Sequence, residues 1–176
     1  MYLQFPGGVI RSWRSDDAVA LARHANNRRV WANLRDRFPS PYTLDDADGW
    51  LRHCVRAVPA TDFALDVDGE AVGGIGVVLR SDVERVDAEV GYWLGEAHWG
   101  KGVMSGAMQV FAPWALERFN LARLHAHVFH FNAASARVLE KAGFTLEGRL
   151  RHSAVKDGAL IDQLLYARLR DAWRTS

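Results

Sequence analysis

Glu89-Val-Gly-Tyr-Trp-Leu-Gly-Glu-Ala-His-Trp-Gly-Lys-Gly-Val-Met104 is the stretch on which the reading of this chain turns. Val86, Ala88, Val90, Tyr92 and Leu94 fall on one face of a strand, with Asp87, Glu89, Gly91 and Trp93 on the other, because strand side chains alternate. Downstream, Val103, Met104, Ala107, Met108, Phe111 and Ala115 recur at helical spacing, and Pro113 is expected to kink that helix. Between them lies Gly100-Lys101-Gly102. Glycines at such a turn let backbone approach a ligand closely, and the unpaired amides that open the helix attract an anion such as a pyrophosphate. Lys101 adds positive charge. On glycine spacing alone, a plain tight turn explains the segment equally well. The pattern is not a dinucleotide fingerprint, which needs three glycines and a later acidic residue, and no Gly-Lys-Ser or Gly-Lys-Thr closes a P-loop.

Working outward, Val9 to Arg14 reads as a first strand and Asp16 as the N-cap of a helix through Ala25. Val30, Trp31 and Leu34 recur at helical spacing. Thr43 precedes Leu44, Asp45 and Asp46, an N-cap followed by acids in the first turn, and starts a helix that ends before Pro59. The period then changes, because Phe63, Leu65 and Val67 alternate up to Asp68-Gly69 and an apolar strand runs from Ala71 to Leu79, which makes a hairpin. Leu124, Ala126 and Val128 form another strand. Asn132 caps a helix to Ala142 that closes on Gly143, and two last strands flank Lys156-Asp157-Gly158. This order gives a mixed sheet covered by helices, an α/β or α+β arrangement in one domain spanning residues 1–176.

Composition narrows the partners. With 22 basic against 21 acidic side chains there is no broad positive field to hold a nucleic-acid backbone, so nucleic acid is not expected as a ligand. The pairs Arg28-Arg29 and Arg149 to Arg151 read as solvated surface. No segment approaches the roughly 18 consecutive apolar residues of a membrane span, and Met1 to Arg14 lacks the apolar run of a signal peptide. A lone cysteine, Cys54, forms no internal disulfide, and a reducing cytoplasm is the expected location. Its neighbours Trp50, Leu51 and Val55 put it on the packed side of a helix, and nothing nearby in sequence lowers its pKa, so it is not expected to be a nucleophile. His125, His127 and His130 invite a metal reading, since His125 and His127 share a strand face. The cysteine pattern of structural zinc is missing, and no metal is expected.

Glu89 to Ala107, then Asn132-Ala-Ala-Ser-Ala-Arg-Val-Leu-Glu-Lys-Ala-Gly-Phe144, Glu147-Gly148-Arg149, the early Arg-Phe-Pro-Ser-Pro-Tyr42 segment and the Asp157-Gly158 turn together resemble the GNAT superfamily of N-acetyltransferases, in particular its RimJ/RimL-like branch. The resemblance covers about Val9 to Leu169. It implies a mixed, mostly antiparallel central sheet with helices on both faces, and acetyl-coenzyme A as co-substrate. The family's Gln/Arg-x-x-Gly-x-Gly/Ala loop matches Trp99-Gly100-Lys101-Gly102-Val103-Met104, with Trp99 and Met104 departing at the outer positions. By resemblance the amides of Gly100, Lys101, Gly102, Val103, Met104 and Ser105 hold the pyrophosphate. Tyr92, Trp93 and Leu94 would accept the pantetheine arm as an added strand, with Asn132 bonding it from the far side.

The chemistry so implied needs a proton acceptor for the amine and stabilisation for the oxyanion and the departing thiolate. Glu89 is the candidate base, with a solvated surface carboxylate as its alternative, and a backbone amide near Trp93 or Leu94 serves the oxyanion. The tyrosine acid of many family members is matched here by Leu139, which leaves Ser135 as the nearest hydroxyl. Trp31, Phe38 and Tyr42 lie where relatives line the acceptor site, with core packing as the competing explanation. A modest base suits an α-amino group of pKa about 7.7 to 8.0 better than a lysine at about 10.4, which favours a protein amino terminus as acceptor. The alternatives are a small-molecule amine or antibiotic acetyltransferase and a non-catalytic acyl-coenzyme A sensor, the latter suggested by Leu139. A homodimer is implied by analogy.

Overall fold

The structure, a computed structural model, describes residues 1–171, so the last five positions of the expected domain, 172–176, lie outside the described residues. Its strands are β1 (Tyr2–Phe5), β2 (Gly8–Ser12), β3 (Asp62–Val67), β4 (Glu70–Leu79), β5 (Asp87–Leu94), β6 (Arg123–Phe129), β7 (Thr145–Lys156) and β8 (Ala159–Leu169). The helices are α1 (Ala18–Ala25), α2 (Arg28–Trp31), α3 (Leu44–Arg56), α4 (Val103–Arg118) and α5 (Ala133–Lys141). The eight-stranded sheet has the order β1-β2-β3-β4-β5-β6-β8-β7. The described pairings are antiparallel except β5 with β6. The chain packs as two compact units, one of Met1–Gly76 with Tyr92–Ala107, the other of Val77–Gly91 with Met108 onward.

In the first unit, the β3–β4 hairpin turns on Asp68 and Gly69 at φ 53° and 88°. Both central residues are left-handed, as a two-residue turn matched to strand twist requires. Helix α3 opens on a reciprocal capping box: Asp46 N–H donates to Thr43 Oγ1 at 3.2 Å, and Thr43 N–H donates to Asp46 Oδ2 at 2.8 Å. Its Ala47, Leu51 and Cys54, one turn apart, join Ala18, Leu21 and Ala25 of α1 in a buried cluster with Trp13, Ala64 and Ala71.

One ion triad ties this unit together. Arg11 of β2 is 4% exposed; its Nε donates to Asp66 Oδ2 of β3 at 2.6 Å, and its two terminal nitrogens donate to both oxygens of Asp17 at 2.8 Å. Asp17 also accepts Arg14 N–H at 2.8 Å, and Asp66 accepts Gly69 N–H at 2.8 Å, so the carboxylates' remaining capacity orders the entry to α1 and the hairpin turn. The Asp17 hydrogen bonds raise the Arg11 pKa despite burial.

In the second unit, β5 lies parallel to β6 with Asp87 opposite Arg123 and Glu89 opposite His125. The β7–β8 hairpin turns on Asp157 and Gly158 at φ 51° and 73°. Met108, Phe111, Ala112 and Ala115 of α4 and Leu124 and Leu139 are fully buried. Helix α5 is capped by Asn132, whose Oδ1 accepts Ser135 N–H at 3.1 Å, and is followed by Gly143 at φ 80°.

Three local expectations need correction. The strand expected over Val9–Arg14 is β2, Gly8–Ser12, and it is the second, since β1 precedes it and turns into it through Pro6 and Gly7, the latter at φ 102°. Asp16 does not cap α1, because a 3₁₀ turn over Ser15–Asp17 precedes it and the carboxylate that takes a backbone N–H is that of Asp17. The Val30–Leu34 pattern yields only the four-residue α2, capped by Asn27 Oδ1.

Arg11→Ala strands two buried carboxylates without a counter-charge, and loss of one member of a buried pair costs about 3–5 kcal/mol. Urea unfolding followed by circular dichroism is expected to show a loss of that order.

Candidate active site

The glycine segment has a built geometry. Strand β5 ends at Leu94, a 3₁₀ turn spans Glu96–His98, and α4 begins at Val103. Gly100 and Gly102 sit at φ 74° and 80°, and a Cβ added at either would meet nothing within 4 Å. Backbone conformation, not crowding, therefore calls for glycine at these positions. The helix ladder starts with Gly106 N–H donating to Gly102 O at 2.9 Å, and among the described residues the amides of Val103, Met104 and Ser105 make no bond to a carbonyl of the preceding loop. Lys101 is exposed beside them; Val103 and Met104 are buried by their side chains.

The outer residue Trp99 fastens the loop from within, its indole Nε1–H donating to Leu94 O at 2.7 Å. Arg29 stands 5.5 Å over the Trp99 ring and pairs with Glu96, which also accepts Asn27 Nδ2–H at 2.8 Å. Gly95 allows His24 to pack against the backbone, since a Cβ there would come within 2.6 Å of His24 Nδ1. His24 and Arg23 pair with Glu70, and Arg23 first, then His24, hold that carboxyl below the usual carboxylate range. His98 is held below the ordinary imidazole value by burial first, then by His24 and Lys101.

Among the residues expected at the acceptor, Phe38 packs on Tyr42 with ring centroids 4.9 Å apart and on Trp93 at 5.6 Å, so Phe38 meets the β5 strand end and Tyr42 stands behind it. Tyr42 belongs to the buried core, and burial pushes its phenol up to about 12. Trp31 carries Arg28 4.0 Å above its ring. Gly73 and Gly74 of β4, which the sequence did not single out, make room for Trp93: added Cβ atoms would lie 2.5 Å from Trp93 O and 2.8 Å from its Nε1.

In the other unit, Glu89 is half-buried and lies 3.2 Å from His127 Nδ1. Ser135 stands in the first turn of α5, half-buried, and Leu139 is wholly buried in the core. His125 Nδ1 lies 2.9 Å from Asp87 Oδ1, a contact missed in the sequence, although Asp87-Ala-Glu89 and His125-Ala-His127 both carry polar residues at period two. His130 is exposed, near Asp162 O at 3.2 Å, away from that group. Arg149 is engaged with Asp162. Among the described residues no helix is long and apolar enough to cross a membrane.

A strand thus ends in a left-handed glycine loop that opens a helix, a geometry that suits an anion at the helix start, set in a mixed eight-stranded sheet. The acetyltransferase (GNAT) domain family matches residues 9–145, and the chain belongs to that family. It is 40% identical over 102 residues to the probable N-acetyltransferase YjcK of Bacillus subtilis, covering 57% of this chain and 55% of that protein. It is 35% identical over 100 residues to the ribosomal-protein-serine acetyltransferase of Escherichia coli, covering 56% of each. The matches thus span little more than half the length of these curated relatives. The solved structure of Mycobacterium smegmatis RimJ in complex with CoA-disulfide superposes with a TM-score of 0.82 at 26% identity, over 96% of this chain and 86% of that one.

Cys54 is buried in the α1–α3 cluster, and burial pushes its thiol up to about 12. It therefore stays protonated at pH 8, and a disulfide reagent such as DTNB is expected to leave the native protein unlabelled and to titrate one thiol in denaturant. Rapid labelling of the folded protein would contradict this burial.

Proposed function

We propose that this chain is an acetyl-CoA-dependent N-acetyltransferase that acetylates a primary amine, with a protein amino terminus as the favoured acceptor. The observation that carries the reading is the pair of left-handed glycines, Gly100 and Gly102, at the head of a helix whose first amides lack partners. Main-chain donors do not depend on residue type, so the departures at Trp99 and Met104 leave the cradle intact. The kinship with a ribosomal-protein acetyltransferase supports the choice of acceptor.

In this reading the amides from Gly100 to Ser105, with Lys101, hold the diphosphate. Tyr92, Trp93 and Leu94 accept the pantetheine arm along β5, and Asn132, whose Oδ1 is already taken by Ser135 N–H, offers its NH₂ group. Acetyl-CoA, when bound, supplies an acetyl thioester open to direct attack by an amine. Only the neutral amine attacks, and Glu89 takes the proton it sheds, directly or through water; His127, in contact with Glu89, is placed to steady that carboxylate. An amide at Trp93 or Leu94 donates to the oxygen that gains charge. Ser135 Oγ–H donates to the departing sulfur. With Leu139 in the tyrosine's place, Ser135 is the hydroxyl on α5 assigned this task, and a thiol of ordinary pKa about 8.5 departs tolerably as thiolate. Phe38 and Trp31 line the acceptor end. Tyr42, which is core, shapes it through Phe38.

The buried Leu139 favours a second reading, a sensor that binds acyl-CoA without turnover. Thiol release measured with amino-terminal peptides, polyamines and small amines separates the three outcomes. The proposal expects amine-dependent release, fastest with peptides carrying a free amino terminus. Glu89→Gln should lower kcat by about 10²–10⁴-fold with coenzyme A affinity retained. Tight coenzyme A binding with no amine-dependent release makes the chain a sensor, and no binding at millimolar coenzyme A ends the transferase reading.

A homodimer is proposed on the exposed Leu146, Leu150 and Val155 of the edge strand β7. Sedimentation equilibrium is expected to give twice the chain mass, and Leu150→Asp to return it to the monomer value.

A further inference from the structure

We propose that Glu89, His125 and His127 form a binding site for a zinc-like divalent transition-metal cation, with Asp87 as the positioning residue behind His125. Acyl transfer needs no metal, and this site is additional to it.

The pattern starts in the chain. Asp87-Ala-Glu89 and His125-Ala-His127 each place two polar side chains on one face of a strand, and the parallel register sets Glu89 opposite His125. One ligand-capable atom from each of Glu89, His125 and His127 lies within 4.8 Å of the others. The imidazole rings of His125 and His127 stand edge to face, with centroids 5.5 Å apart.

The second, independent observation is His125 itself. Its ring is 2% exposed, and its Nδ1 lies 2.9 Å from Asp87 Oδ1. A carboxylate can only accept, so Nδ1 carries a proton, and in the neutral ring Nε2 is left with a bare lone pair. That Nε2 is buried and has no hydrogen-bond partner. A carboxylate behind a histidine whose other nitrogen is vacant is the arrangement that orients metal-bound imidazole and raises its basicity.

The donor set selects the ion. Two imidazole nitrogens and one carboxylate oxygen suit zinc and its neighbours, whereas magnesium and calcium favour sites built from oxygen. Zinc bonds of about 2.0–2.2 Å place tetrahedral ligand atoms roughly 3.4 Å apart. The contraction falls on His127 and Glu89, each with a side chain 21% exposed, while His125 stays fixed by packing and by Asp87. Three protein ligands leave a fourth position for water. An ion here engages the Glu89 carboxylate, so zinc should also slow acetyl transfer; that consequence alone rests on Glu89 as the base.

The test uses the full chain, tag-free and stripped by chelator, with no acetyl-CoA present. Co²⁺ titration is expected to raise visible d–d bands of four- or five-coordinate geometry saturating at one equivalent, and Zn²⁺ to abolish them. His125→Ala removes a buried ring and risks unfolding, so His127→Ala and Asp87→Ala carry the test, with folding checked by circular dichroism. His127→Ala should weaken Zn²⁺ binding at least about tenfold, and Asp87→Ala, which removes no ligand, about 10–100-fold. His130→Ala, outside the cluster, should bind as the unaltered chain does. Absence of saturable binding up to millimolar Zn²⁺, or affinity unchanged in folded His127→Ala, overturns the site. Zinc binding without inhibition keeps the site and removes only Glu89 from the role of base.

Discussion

The guanidinium of Arg11 is the interaction on which the amino-terminal unit depends. Burying one cation and two carboxylates is costly, and what offsets that cost is the set of hydrogen bonds they make to one another and to the backbone. Both terminal nitrogens meet Asp17, Nε meets Asp66, and each carboxylate spends a further lone pair on a backbone amide. Those last two bonds matter most for the fold. They place Arg14 before α1 and Gly69 in the β3–β4 turn, so strand, helix entry and hairpin are fixed by one group. An apolar replacement would supply burial without those directions.

The proposed cofactor site, in the same unit, is made largely of main chain. Gly100 and Gly102 adopt a conformation L side chains rarely take, and Trp99 closes the loop through Leu94 O. The side chains of Val103 and Met104 are buried. In the proposed cradle the donors are main-chain amides, which a departure from the family pattern at the loop's ends does not alter. Trp93 gains its place by a similar means, since two glycines of β4 leave the volume its indole and carbonyl occupy.

How much of this was legible in the chain depends on the range of the interaction involved. Asp68-Gly69 and Asp157-Gly158 announced their hairpins, because a two-residue turn places its own chemistry on two adjacent residues. Thr43 with Asp46, Asn132 with Ser135, and Gly143 after α5 were readable for the same reason. Strand β1 escaped notice because it is four residues long and alternates exposed Tyr2 and Gln4 with a single buried Phe5. Asp16 was the expected cap, whereas the carboxylate the structure engages is that of Asp17, held by Arg11 from β2, a pairing no local pattern records. The glycine loop and its flanking strand and helix were visible, as were Glu89 and the shared face of His125 and His127. That Glu89 lies beside those histidines was not, because β5 and β6 are separated by all of α4 and adopt a parallel register that no local pattern records.

The contrast between Leu139 and His125 shows how burial sorts candidates of equal standing in sequence. Leu139 stands where the family resemblance leads one to expect a tyrosine; here it is an ordinary core residue, its side chain sealed and its carbonyl accepting Phe144 N–H at 3.0 Å. Nothing in its surroundings asks for chemistry. His125 is just as sealed, yet one of its nitrogens is held by a carboxylate and the other meets no donor or acceptor. A buried polar atom left unpaired is a standing cost, because water that would have satisfied it has been removed. Phenylalanine or leucine would fill the same space on β6 without that cost. An imidazole there, backed by Asp87 and grouped with Glu89 and His127, is what the proposed cation would engage through its lone pair.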